Sequence, residues 1–229
     1  MKNTINFFGI AVLAVVTGIT MFACGGGGAK KSGLKNNQYL GALPALYADY
    51  ELAEQTSEAK IEKARGTGNV KKYIKVKQEE EKAWEVREEK FEADKKAEWN
   101  KLDGKEIPYT VSDAFDKLDI KVGTVKLIGE SEVFHIPVTA KKDFTVSNLR
   151  NRYDYEEIFY KFLGKDGSVI DKGGMYLVFL GFSNSKSYKE GENIQFNDKD
   201  ITGFFRISEP EKWVDFTGLE FITREEYME

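Results

Sequence analysis

Ile158-Phe159-Tyr160-Lys161-Phe162-Leu163 runs into Gly164-Lys165-Asp166-Gly167, and Ser168-Val169-Ile170 follows. Two apolar runs joined by a polar turn that carries Asp-Gly form a strong hairpin signal, because tight hairpin turns need residues that tolerate positive φ. The stretch predicts a pair of antiparallel strands, and its neighbours repeat the pattern on both sides. Upstream, Leu118, Ile120 and Val122 alternate with charged residues, Gly123 interrupts, and Val125 and Leu127 resume. Phe134, Ile136 and Val138 alternate with His135, Pro137 and Thr139, with Pro137 marking an edge or a bulge. Downstream come Met175 to Phe182, Asn193 to Phe196, Gly203 to Ile207 and Leu219 to Thr223. Roughly seven or eight short strands, with no helical period of any length between them, predict a two-sheet antiparallel sandwich over residues 103–229.

Ahead of Asp103-Gly104 the period is different. Val70 to Leu102 has neither glycine nor proline and is dense in Lys, Glu and Ala, which predicts one long helix. Pro44 suits a first helical position, and Leu46, Tyr47, Tyr50, Ala53 and Ile61 fall on roughly one face, so a second helix precedes it. Gly66-Thr67-Gly68-Asn69 separates the two. Residues 44–102 are thus a charged helical region, either an αα-hairpin or a projecting spacer or coiled-coil strand. Lys77 and Glu98 fall in the register set by Val70, Trp84 and Phe91, which argues against sustained self-association. Trp84 and Trp99 need apolar partners on so polar a helix, supplied by the β-rich part or by another protein. The expected fold class is α+β.

The chain opens with Lys2, an apolar run from Ile5 to Phe22, and Ala23-Cys24, its one cysteine, followed by four glycines from Gly25 to Gly28. A basic start, a short apolar stretch and a small residue at the cut are the parts of a cleavable signal peptide. Met21-Phe22-Ala23-Cys24 resembles the lipobox of bacterial lipoproteins, in relaxed forms like those of spirochaetes. The resemblance implies cleavage of residues 1–23, acylation of Cys24, and attachment to a membrane through those acyl chains. Two or three chains bury enough methylenes for stable anchoring, whereas one binds only weakly. Residues 24–43 then form the lipidated cysteine and a flexible tether. Gly25 stands where an aspartate is associated with inner-membrane retention in enteric bacteria, so the outer membrane is the favoured location.

A second resemblance covers Tyr160 to Ile170 and Tyr188-Lys189-Glu190-Gly191-Glu192-Asn193-Ile194-Gln195-Phe196. It is similar to immunoglobulin-like domains of bacterial exported lipoproteins, in which an aromatic strand ends at an Asp-Gly turn. It implies an immunoglobulin-like sandwich with a binding or assembly role, and no catalytic residues.

Charge and composition narrow the function. Hydrophobic residues make up 41% of the 229 and charged residues 31%, a globular balance. Gly25 to Leu102 holds 16 Lys and Arg against 14 Asp and Glu, and Asp103 to Glu229 holds 17 against 24. Neither has the basic surplus that phosphate backbones require, so no nucleic-acid partner is expected. With Cys24 acylated, a disulfide and a Cys/His zinc site are ruled out. His135, the one histidine, reads as a sheet-face residue. The pairs Asp113 with Asp116 and Asp198 with Asp200 read as solvated turn residues rather than calcium ligands, since Lys199 sits between the second pair. Trp213, Phe216, Phe204 and Phe205 read as core. No catalytic, cofactor or metal residues are expected. The chain reads as a non-enzymatic envelope binding module, the alternative being a carboxylate-based hydrolase acting on an envelope polysaccharide or peptide.

Overall fold

The computed structural model describes residues 31–149, 152–154, 157–176, 185–194 and 201–229. Residues 1–30, with Cys24 and the glycine run, lie outside them, as do residues 177–182 of the Met175 run and the pair Asp198 and Asp200.

Helix α1 spans Leu43–Arg65 and α2 spans Val70–Lys101. Pro44 sits in the first turn of α1, and Lys63 and Arg65 complement the negative end of its dipole. Asn69 starts α2 by accepting the Lys72 amide at 3.0 Å. The two helices form an αα-hairpin, and the reason lies in where the sparse apolar groups fall. Tyr50 stacks on Phe91 at 4.2 Å and packs on Trp84 at 4.9 Å, and Tyr47 meets Phe91 edge-on at 5.2 Å. Farther toward the tip, Ser57 and Lys60 bond Glu80, and Arg87 pairs with the same carboxylate.

The β part comprises β1 (Glu106–Val111), β2 (Leu118–Asp119), β3 (Gly123–Ile128), β4 (Val133–Ile136), β5 (Thr139–Ala140), β6 (Phe144–Leu149), β7 (Arg152–Asp154), β8 (Glu157–Gly164), β9 (Val169–Tyr176), β10 (Ser185–Tyr188), β11 (Ile201–Phe204) and β12 (Phe216–Ile222). Two short helices, α3 (Pro210–Trp213) and α4 (Arg224–Met228), flank β12. Seven strands make one sheet in the order β11-β4-β3-β1-β12-β8-β9, beside a three-strand sheet β10-β6-β7 and a β2-β5 ribbon. The sheet is nearly closed, because its end strands β9 and β11 come within 8 Å, Cα to Cα, without pairing. The α+β class holds, and among the described residues the strands pair antiparallel with one exception: β1 runs parallel to β12, Tyr109 opposite Leu219.

The Asp166-Gly167 hairpin forms as the residues require. Gly167 adopts φ +77°, Asp166 accepts the Ser168 amide at 3.0 Å, and Phe162 stands opposite Asp171. Ile158, Tyr160 and Phe162 alternate inward along β8. Pro137, which has no N–H for a ladder, ends β4, and the chain leaves for the β2-β5 ribbon.

One feature departs from the expected layout, and a second takes up one of the two partners the sequence allows for Trp99. Among the described residues the first one buried is Asn37, whose side-chain amide donates to the carbonyls of Val214 and Phe216 at 2.9 and 2.8 Å. Leu40 and Leu43 follow it into the core at 0% exposure, so the fold takes hold within the stretch expected to be tether. Second, the charged helix supplies a core residue. Trp99 is 1% exposed and packs on Phe205 at 5.5 Å, where the β part closes over the end of α2.

Candidate functional site

Between the two end strands of the sheet lies a cleft of about 440 Å³. Its walls are the middle of β9, from Asp171 to Gly174, and the end of β11, with Phe204, Phe205 and Arg206; Tyr160 and Phe162 of β8 form its floor. Strand alternation decides which side chains are available. Gly203 and Phe205 face the core while Phe204 faces outward, and at 61% exposure Phe204 overturns the expectation that it is core. Trp213, Phe216 and Phe205, expected as core with it, are buried, and Phe162 lies 4.8 Å from Trp213 and 5.2 Å from Phe205.

Tyr160 explains the glycine beside it. A Cβ on Gly173 would stand 2.3 Å from the Tyr160 ring, so only glycine lets that ring pass beneath β9. The phenol then reaches β11, donating to the Phe204 carbonyl and accepting the Phe204 amide, both at 3.2 Å. Burial pushes the Tyr160 phenol above its ordinary pKa, and Asp171 adds to the shift, against the opposing pull of the Phe204 backbone and Arg206. The hydroxyl keeps its proton at neutral pH and can donate.

Three charges border the cleft, and they differ in what already holds them. Lys172 turns away to the outer face, where its ammonium donates to the Tyr227 carbonyl at 3.3 Å and sits 5.4 Å over the Tyr227 ring. Asp171 accepts the Lys172 amide at 2.8 Å. Arg206 is exposed, and its guanidinium has no ion-pair partner among the described residues. The chemistry on offer is hydrogen bonding, an aromatic surface and one cation. A hydrolase that works through paired carboxylates needs two acids facing each other, and the lining supplies Asp171.

The other residues singled out in the sequence are placed as follows. His135 is half-buried on β4, opposite Lys126 and Thr202. Asp113 is exposed, and Asp116 pairs with Lys142 at 2.9 Å. Trp84 is half-buried against Tyr50, and Trp99 is wholly enclosed. Among the described residues no cluster of three or more His, Cys, Asp or Glu stands ready for a metal, and no helix is long and apolar enough to cross a membrane. Sequence reasoning passed over Asp171, Gly173, Gly174 and Arg206. The signal for them was present: a Gly-Gly step within an apolar strand marks close approach by another group.

Set against known protein families, curated proteins and solved structures, the chain matches none of them.

Proposed function

We propose that this chain is a lipid-anchored bacterial envelope protein whose β part is a non-enzymatic binding module, with the cleft between β9 and β11 as its binding face. In this reading residues 1–23 are removed on export, acyl chains on Cys24 hold the protein to the membrane, the outer membrane being favoured, and the helical hairpin serves as a spacer. The observation that carries the binding role is the seam itself, where an exposed aromatic ring, a guanidinium without an ion pair among the described residues and a glycine-lined wall converge on one concave surface. An immunoglobulin-like character for the strands belongs to the same reading and is supported by the Asp166-Gly167 hairpin.

Metabolic labelling with palmitate, followed by capture of envelope components from detergent-solubilised membranes, tests both halves. Label is expected in the wild type and lost in Cys24→Ala, and captured components are expected to be lost in Phe204→Ser with Arg206→Gln. Equal label in both chains overturns the anchor. Turnover of an envelope polysaccharide or peptide by the purified protein overturns the binding role.

A further inference from the structure

We propose that the β9/β11 seam is a strand-addition site for an extended peptide that carries a carboxylate. The inference rests on the binding-module reading above and names its ligand. Sheet edges present rows of unpaired N–H and C=O groups, and folded proteins usually blunt them with charges, prolines or covering segments. Both edges of the seven-strand sheet lie at one cleft. On β9 the usual device is withdrawn: Lys172 leans onto Tyr227 on the outer face, and Gly173 and Gly174 put no side chain over the backbone.

Among the described residues, what closes the seam is one phenol. Tyr160 stands in for strand pairing at Phe204, supplying a donor and an acceptor from a single atom, and both bonds are 3.2 Å long. Ladder bonds sit nearer 2.9–3.0 Å and come from separate, well-aligned groups, so an incoming backbone replaces this seal with better ones. An inserted strand needs its two neighbours about 9.6 Å apart, twice the ladder spacing. Here β9 and β11 come within 8 Å of each other, so binding opens the seam and releases Tyr160.

Side chains then set the ligand's character. Successive residues of an added strand point to opposite faces, and the outward-facing one beside Phe204 meets its exposed ring. Arg206 asks for a carboxylate, because a guanidinium binds that group through two parallel hydrogen bonds and no other ion pair competes for it among the described residues. The volume of about 440 Å³ suits a few residues of extended chain.

The test uses the full acylated chain in detergent and a phage-displayed library of random eight-residue peptides. Enriched sequences are expected to alternate apolar with polar residues and to share an Asp or Glu. Against a synthetic consensus peptide, Arg206→Gln is expected to weaken binding about tenfold. Tyr160→Phe, which keeps the ring and removes the seal, is expected to tighten it. N-methylation of alternate residues is expected to weaken binding in either register, because an inserted strand turns its N–H groups alternately to β9 and to β11. No enrichment, tolerance of N-methyl groups in either register, or indifference to Phe204→Ser and Arg206→Gln overturns the proposal. If soluble envelope glycans bind through Phe204 and Arg206 while peptides do not, the ligand assignment fails and the binding module stands.

Discussion

The Glu98 carboxylate, from the last turn of α2, accepts the backbone N–H of Ala42 at 2.9 Å, and Ala42 is the residue that begins α1. A helix start leaves several N–H groups without partners, and Ala42 has no side-chain acceptor of its own. Glu98 supplies one from 56 residues away and sets a negative charge against the positive end of the α1 dipole. Gly41, at φ +55°, makes room: a Cβ there would lie 2.4 Å from the carboxylate oxygen. Glu98→Ala is expected to cost about 1–2 kcal/mol in urea unfolding, and Glu98→Gln less, since its amide oxygen can still accept the bond.

The same group predicts an acid limb. Burial pushes the Glu98 carboxyl up, but the Ala42 amide and Lys101 outweigh it and hold it below its usual value. Glu80, bonded by Lys60 and Ser57, and Glu226, bonded by Ser112 and Thr223, are held down against burial in the same way. A carboxyl that titrates lower folded than unfolded adds stability that is complete above about pH 4.3 and lost as pH falls through its folded value. Urea midpoints are therefore expected to fall between about pH 5 and pH 3, and the fall to be shallower in Glu98→Gln.

Elements whose signals are local could be read in advance. Pro44, the Gly66 to Asn69 break and the uninterrupted Val70 to Leu102 run placed both helices to within a residue or two, and Asp166-Gly167 placed the hairpin. What failed depended on distant partners. Strand β1 was missed because Pro108 interrupts it; the proline lies ahead of Tyr109, where pairing with β12 begins. Its parallel neighbour lies more than a hundred residues on, and no local pattern announces such a partner. Asn37 sits in a polar, glycine-flanked stretch, and its role as an anchor exists only once the Phe216 carbonyl is beside it. In the candidate site, aromatic content was visible, but which aromatic faces outward depends on strand register.

Tyr47 predicts an alkaline limb of opposite sign. Burial first, and Glu132 next, push its phenol up to about 12 from 10.0, with Lys95 opposing. The unfolded chain releases this proton near pH 10 while the folded chain keeps it, so stability declines as pH rises from about 10 toward 12. Tyr47→Phe keeps the edge-on contact with Phe91 and is expected to flatten that decline, measured by urea unfolding across pH 9 to 12.

Gly129 tests how closely the β3–β4 turn is pressed on α2. A Cβ at this position would lie 2.2 Å from the Trp99 carbonyl oxygen and 2.7 Å from its carbon, and backbone cannot swing aside as a side chain can. The Gly129 amide is also held by Asp103 at 3.0 Å. Gly129→Ala is expected to destabilise by about 2–3 kcal/mol, whereas Gly123→Ala, with open space around its Cβ, is expected to cost under about 1 kcal/mol. Thermal unfolding followed by circular dichroism distinguishes the two.

The two enclosed tryptophans separate packing from hydrogen bonding. Trp99 and Trp213 are 1% and 0% exposed, so replacing either by Phe removes similar buried area. Their indole nitrogens differ: Trp213 donates to the Ser208 carbonyl at 2.8 Å, while Trp99 Nε1 is buried with no partner among the described residues. Trp213→Phe loses a bond together with volume, and Trp99→Phe loses volume while relieving an unpaired donor that burial penalises. Trp213→Phe is accordingly expected to cost about 1–2 kcal/mol more than Trp99→Phe in urea unfolding. Equal costs would mean that the Trp99 indole finds an acceptor in solution, and its N–H proton would then resonate downfield of an unpaired indole N–H in the NMR spectrum.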